Sequence, residues 1–182
     1  MAEIRAITVK QPWAFAIVHG GKVIENRSRG TSYRGPIAIH AGAAWSDLGA
    51  NDPFVLNAWT SWLSGRDSTM QTPEHVRDGW EAADTLEPDN EREQLLLPRG
   101  AIIGVADLVD SHQDANCCRP WGMSEYDEGG GRVRTGIHHL VLDDVRELAE
   151  PLPCRGALGL WRVPSDLLLT VNETYSSETH RG

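Results

Sequence analysis

Little in this chain argues for a membrane segment, a secretory route or a disulfide scaffold. Its 182 residues include only three cysteines, Cys117, Cys118 and Cys154, and an odd count cannot complete a disulfide framework. No apolar run approaches the roughly 20 residues that span a bilayer. The opening MAEIRAITV lacks the apolar stretch of a signal peptide. The expectation is a cytoplasmic chain with reduced thiols. Positive charge is scarce as well: 17 Lys and Arg stand against 26 Asp and Glu, a net charge of −9. That balance excludes a general duplex-coating protein, which needs many phosphate-neutralising cations. It leaves room for a small pocket that holds one nucleotide or a short single strand. Metal-ligand spacing is missing too. Cys117 and Cys118 are adjacent, whereas zinc sites favour two to four residues between cysteines. His112 stands nearby, but His138 and His139, as neighbours on a strand, face opposite sides. No metal and no other cofactor is expected, and no internal repeat is evident.

What positive charge there is gathers at one end. Residues 1–42 carry six Lys and Arg against two acidic residues. Residues 43–97 carry three against eleven, and residues 98–182 eight against thirteen. An acidic protein that concentrates its cations in one short segment has an anion to hold there.

The length fits one domain over residues 1–171, with a helical insertion at 43–97 and a flexible polar tail at 172–182. Strand patterns fall near 4–9, 23–28, 36–41, 101–110, 137–146 and 157–163. Pro12 suits the first turn of a short helix, and Trp13 to Val18 is apolar almost all round, so that helix should be buried. Gly20 and Gly21 end it. In the insertion, Asp52-Pro53 opens one helix with Leu56, Trp59 and Leu63 on a stripe. Thr72-Pro73 opens a second, with Val76, Trp80 and Ala83 on one face, and residues 87–93 form a charged loop. Residues 116–136, rich in glycine and polar residues, read as a long loop. Ser165 to Val171 reads as a last helical turn. Several strands with few helices give an α+β class built on a small mixed β-barrel.

Several of these residues form an ordered series. Gln11-Pro12-Trp13-Ala14 is followed by Gly21-Lys22-x-x-Glu25-x-Arg27 and by Tyr33-Arg34-Gly35-Pro36-x-x-Ile39-His40-Ala41. Pro98-x-Gly100-Ala101-Ile102-Ile103-Gly104 and Cys154-Arg155-Gly156-x-x-Gly159-Leu160-Trp161 come later. The series resembles the ASCH domain, named after activating signal cointegrator homology, within the PUA-like superfamily. The resemblance implies a PUA-like β-barrel with flanking helices and a cleft suited to RNA, single-stranded nucleic acid or a modified nucleoside. Some small bacterial members are amidohydrolases that remove the acetyl group of N4-acetylcytidine. Others have been associated with ribonuclease activity or transcriptional coactivation.

Lys22 falls where that family's cleft lysine lies. An ammonium there binds phosphate or polarises a carbonyl, and with its pKa lowered by burial it acts as a base; the bland alternative is a solvated turn lysine. Glu25 and Arg27 share a strand face and can form an ion pair that either serves the cleft or holds the wall together. In the acetylcytidine hydrolases the position three after the lysine is a threonine proposed as nucleophile. Glu25 has no hydroxyl, so that chemistry does not carry over, although a carboxylate can activate water. Trp13 offers a stacking face but reads more simply as the anchor of the buried helix. Arg34 can grip phosphate and Tyr33 can stack beside it at the cleft rim. Lys10 and Gln11 end the first strand on the same side, and His40 is a candidate wall or acid–base residue.

Three readings follow. The first is a binding module for a nucleotide, modified nucleoside or short single-stranded RNA through Lys10, Gln11, Trp13, Lys22, Arg27, Tyr33, Arg34 and His40. The second is a hydrolase that uses Lys22 and Glu25 on an N4-acylcytidine or on RNA. The third is a coactivator-like protein-interaction domain in which the acidic insertion matters most. The missing nucleophile favours the first.

Overall fold

A computed structural model of the chain describes residues 4–64, 97–127 and 132–176. Its centre is a six-stranded sheet. Strands β1 (Arg5–Gln11), β2 (Ile24–Arg27), β3 (Gly35–Trp45), β4 (Ala101–Gln113), β7 (His138–Pro153) and β8 (Leu160–Arg162) lie in the order β2-β7-β4-β3-β1-β8. Only β1 and β3 run parallel, and every other pair is antiparallel. A parallel pair cannot be joined by a tight hairpin. The connection carries helix α1 (Trp13–His19) and β2. Two short strands, β5 (Glu125–Asp127) and β6 (Val133–Thr135), pair as a separate hairpin within the stretch expected to be loop throughout.

Each expected strand region has a counterpart. The architecture is mixed α and β with a mainly sheet core, but β2 and β8 each pair with one neighbour only, so the described strands do not close a barrel by hydrogen bonding. The long β4–β7 hairpin coils instead, with register shifts at Ile102/Gly104, Val105/Asp107 and Leu108/Asp110. Such bulges bend a strand and increase its twist.

The sheet is buried on both faces, which accounts for near-continuous apolar runs where alternation would expose every second residue. Ile7, Ile37, Ile39 and Leu142 pack on one side with Ala14 and Ile17 of α1. Ala6, Ala38, Ile102 and Val105 pack on the other with Val171. Val171 belongs to helix α4 (Leu168–Ser176), so the polar tail expected from residue 172 is helical to Ser176. Tyr175 is held there by its hydroxyl on Asp107 at 2.7 Å; the pattern of polar residues hid an anchored amphipathic turn.

In the insertion, Ser46 caps α2 (Asp47–Ala50) and Asp52 caps α3 (Pro53–Leu63). Asp52 accepts from the Phe54 and Val55 amides at 2.9 and 3.2 Å, as expected of an Asp-Pro helix start. Val55, Ala58 and Trp59 turn inward, and Trp59 meets Phe15 of α1 edge-on with centroids 5.1 Å apart. The second insertion helix expected from Thr72-Pro73 and the loop at 87–93 lie outside the described residues.

Candidate functional site

Helix α1 sets up the site. The Gln11 amide oxygen accepts from Phe15 N at 2.9 Å, and its Nε2 donates to Pro98 O at 2.9 Å. Gln11 is thus a fully buried brace. At the other end Gly20 closes the helix onto Ala16 O at 2.9 Å. Gly21, at φ 64°, turns the chain into β2 through the left-handed region that glycine tolerates best.

Lys22 follows immediately and folds back under the helix. It is 1% exposed, which dismisses the solvated-turn alternative. Its Nζ lies 3.3 Å from Glu25 Oε2, also donates to Ile24 O, and stands 5.5 Å from the Trp13 ring centroid. Burial pushes the Lys22 pKa down, and Glu25 opposes that shift by charge and hydrogen bond. The other Glu25 oxygen, Oε1, is 3.1 Å from Arg27 Nη2. The result is a continuous Lys22–Glu25–Arg27 chain, two cations on one carboxylate. Arg27 is its outer end, with a side chain 30% exposed. Its Nη2 donates to Thr8 O at 2.6 Å, while its Nε is buried with no hydrogen-bond partner among the described residues. Asp52 faces the same region, its pKa raised by burial and held back by its helix-cap hydrogen bonds and by Lys22.

Trp13 is half-buried, donates to Ser46 Oγ at 3.1 Å and roofs the lysine. Lys10 is exposed on β1. The remaining expected residues stand elsewhere. His40 is 1% exposed. It packs against Trp161 at 5.5 Å and points Nε2 at Cys154 O, 3.0 Å away, on the Ala38 side of the sheet rather than the Ile39 side that α1 covers. Its Nδ1 is buried with no partner among the described residues. Tyr33 is half-buried and donates its hydroxyl to Pro36 O at 2.6 Å. Arg34 pairs with Asp110 at 2.8 Å and not with Glu25. The sequence series therefore divides: Lys22, Glu25 and Arg27 form one group under Trp13, while Tyr33 turns to Pro36 and Arg34 to Asp110. A small apolar pocket lined by Pro12, Phe15, Trp45, Val55, Trp59 and Leu97 lies between α1 and α3 and contains none of the expected polar residues.

The second group is one that spacing argued against. The β4–β7 register sets His112 directly opposite His139. The loop after β4 then returns through two left-handed residues, Asn116 at φ 59° and Cys118 at φ 62°. That turn brings both adjacent cysteines onto the histidines. Cys117 Sγ lies 3.3 Å from His112 Nε2 and 3.7 Å from His139 Nδ1, and Cys118 Sγ lies 3.4 Å from His112 Nε2. One ligand atom from each of the four residues lies within 4.8 Å of the others. A left-handed residue between two side chains abolishes the opposed directions that extended backbone would impose, so the spacing argument fails in three dimensions. Strand pairing across a long loop was the signal that linear spacing could not supply. The Cys117 thiol is pulled down to about 6, first by a backbone hydrogen bond at Ala115 and then by the His139 ring. Asp110 raises the His112 pKa through its hydrogen bond at 2.7 Å.

The two groups back onto opposite faces of β2. Glu25 and Arg27 turn to Lys22 and to Thr8 O, whereas Asn26 turns to the cysteine loop. Asn26 Nδ2 donates to Trp121 O at 2.9 Å, and Met123 N donates to Asn26 Oδ1 at 3.0 Å.

Two solved structures resemble the chain: a tyrosine-to-phenylalanine mutant of the ASCH protein from Zymomonas mobilis, at 13% identity and a TM-score of 0.47 over 94% of this chain and 98% of that one, and the ASCH protein from Zymomonas mobilis, at 14% identity and 0.46 over 94% of each. No curated protein matches significantly. No helix among the described residues is long and apolar enough to cross a membrane. The family model of the ASCH domain matches residues 7–130, well over half the sequence, and the chain belongs to the ASCH domain family.

Proposed function

We propose that the Lys22–Glu25–Arg27 chain, roofed by Trp13, is the recognition site for a nucleotide, modified nucleoside or short single-stranded RNA. The observation that carries this reading is the carboxylate of Glu25 shared by a fully buried lysine and a partly exposed arginine. Burying two cations with one anion is an expensive way to hold a wall together, since desolvation offsets most of the attraction. It does leave net positive charge at the rim, where the Arg27 side chain is 30% exposed, which suits a phosphate or an electron-rich base edge. Lys22 acts from beneath by fixing Glu25, and Arg27 makes the contact. The net charge of −9 keeps long duplexes away.

The test is binding of short labelled single-stranded RNA, its duplex form and a panel of modified nucleosides. Tight single-strand binding with a shallow salt dependence is expected. One or two phosphate contacts give a slope of about −0.7 to −1.4 in log affinity against log salt. A preference for duplex, or a much steeper slope, would contradict a compact site.

Hydrolysis is the second reading, favoured by one observation. The lowered Lys22 pKa and the Glu25 oxygen at 3.3 Å make a pair able to move a proton. With no hydroxyl at position 25, an amide such as that of N4-acetylcytidine would be attacked by water that Glu25 deprotonates, with Lys22 stabilising the oxyanion and Glu25 returning the proton to the amine as the C–N bond breaks, giving acetate and cytidine. Turnover of N4-acetylcytidine that Glu25→Gln abolishes would support it; turnover undiminished in that variant would remove Glu25 from the chemistry.

A further inference from the structure

We propose that His112, Cys117, Cys118 and His139 form a structural zinc site that locks the loop of residues 114–123 to the β4–β7 hairpin. The proposal stands independently of the nucleic-acid reading. It rests on the match between the donor positions and a tetrahedral ion. Zinc–sulfur bonds of about 2.3 Å and zinc–nitrogen bonds of about 2.05 Å place tetrahedral donors roughly 3.4–3.8 Å apart. Three of the six donor separations, at 3.3, 3.4 and 3.7 Å, fall near those edges, and all four donors lie within 4.8 Å of one another.

The outer partners of both imidazoles point the same way. Asp110 Oδ2 accepts from His112 Nδ1 at 2.7 Å, so the proton sits on Nδ1 and the Nε2 lone pair faces the two thiols. Met123 O lies 3.0 Å from His139 Nε2, with Asp114 Oδ1 at 3.5 Å, so that ring carries its proton on Nε2 and turns the Nδ1 lone pair inward. Metal-binding histidines are held in this manner, with the distal nitrogen donating to a carboxylate or carbonyl. Without an ion, the two inward lone pairs face only the two sulfurs, which are weak donors at best.

Chemistry selects the ion. Two sulfurs and two imidazoles suit zinc, and they do not suit magnesium or calcium, which take oxygen ligands. Binding takes up one Zn²⁺ and releases to water whatever protons the two thiols still carry, leaving two thiolates on the ion and a centre of zero net charge. Four protein ligands fill the tetrahedron, so no position remains for substrate and the role is structural. The loop is built closely onto this point. A Cβ on Gly122 would lie 2.7 Å from both Cys117 O and His139 Cε1, and 2.9 Å from Cys118 Cβ. His139 is the register partner of Asn26, which lies between Glu25 and Arg27 on β2. The ion would therefore stiffen the back of the strand that presents those two side chains.

The experiment uses the full chain, purified under reducing conditions and reconstituted with Zn²⁺ or Co²⁺. We expect one zinc per chain. Co²⁺ should give tetrahedral d–d bands and a thiolate charge-transfer band, all displaced by Zn²⁺. Bound zinc should shield Cys117 and Cys118 from alkylation, and a chelator should expose both. Cys117→Ser should remove the charge-transfer signature or weaken it sharply. If that variant fails to fold, Asp110→Asn provides the second check, because loss of an outer partner lowers metal affinity about 10- to 100-fold. Substoichiometric zinc with no charge-transfer band in the folded wild-type protein would overturn the proposal. So would a Cys117–Cys118 disulfide that persists under reductant, or an Asp110→Asn variant with unchanged zinc affinity.

Discussion

Replacing Glu25 with glutamine removes one negative charge and keeps the shape of the side chain. Lys22 is then left 1% exposed, facing Ile24 O and the Trp13 ring without its counter-ion, and Arg27 loses a partner at 3.1 Å. Breaking a buried ion pair from one side costs about 3–5 kcal/mol, because the remaining charge stays desolvated. At about 2–4 °C per kcal/mol for a chain of this size, the melting temperature should fall by roughly 6–20 °C. Lys22→Met should cost less, since Glu25 keeps Arg27. The double variant should recover much of the Glu25→Gln loss, because the uncompensated ammonium is then absent. The pH dependence has a definite sign. Removing Glu25 takes away the main influence that raises the Lys22 pKa, so burial drives it further below 10.5. The unfolded chain then binds a proton that the folded chain does not, and stability rises with pH until the unfolded lysine also titrates. Thermal melts from neutral to mildly alkaline pH should show the Glu25→Gln deficit narrowing as pH climbs towards 10.5. A loss of only a degree or two, or costs that add in the double variant, would refute the coupling on which the site is built.

Arg27→Met should weaken single-stranded RNA binding about ten- to a hundredfold, the worth of a charge-assisted hydrogen bond of roughly 1.5–3 kcal/mol. Anisotropy titrations should show that difference shrinking with added salt, because Arg27 is partly exposed. Trp13→Ala loses the Ser46 bond and the roof over Lys22; it should cost about 3 kcal/mol by denaturant unfolding, at the lower end for tryptophan because the ring is only half-buried. Gly122→Ala has no room for its methyl group. It should destabilise the folded chain by about 1–3 kcal/mol, as overpacking does, and amide exchange should quicken in the loop of residues 114–123. The Tyr175 hydroxyl, hydrogen-bonded to Asp107, has its pKa pushed up to about 12. Its contribution is complete below the ordinary value of 10 and is lost as pH rises towards 12. Ultraviolet titration should find one tyrosine ionising late, and Tyr175→Phe should remove that phase.

The family and the six strands of the main sheet lay open in the sequence because they depend on local order, whereas β5 and β6 did not. Gln11-Pro12-Trp13, Gly21-Lys22 and Tyr33-Arg34-Gly35 are contiguous motifs, and strand periodicity needs only near neighbours. Lys22 and Glu25 could be placed together for the same reason, three residues apart just after a glycine turn. Tertiary structure decided what long-range contacts control. Lys22 is buried because α1 and Trp13 close over it, and no charge count reveals that. Arg34 pairs with Asp110, 76 residues away, and His40 packs on the sheet face away from α1. The polar stretch from residue 172 continues as helix because Asp107 and Val171 anchor it. The cysteine–histidine group exists only because the β4–β7 register places His112 opposite His139. Linear spacing fixes which donors are near in the chain; strand pairing and a left-handed backbone at Cys118 fix which of them meet in space.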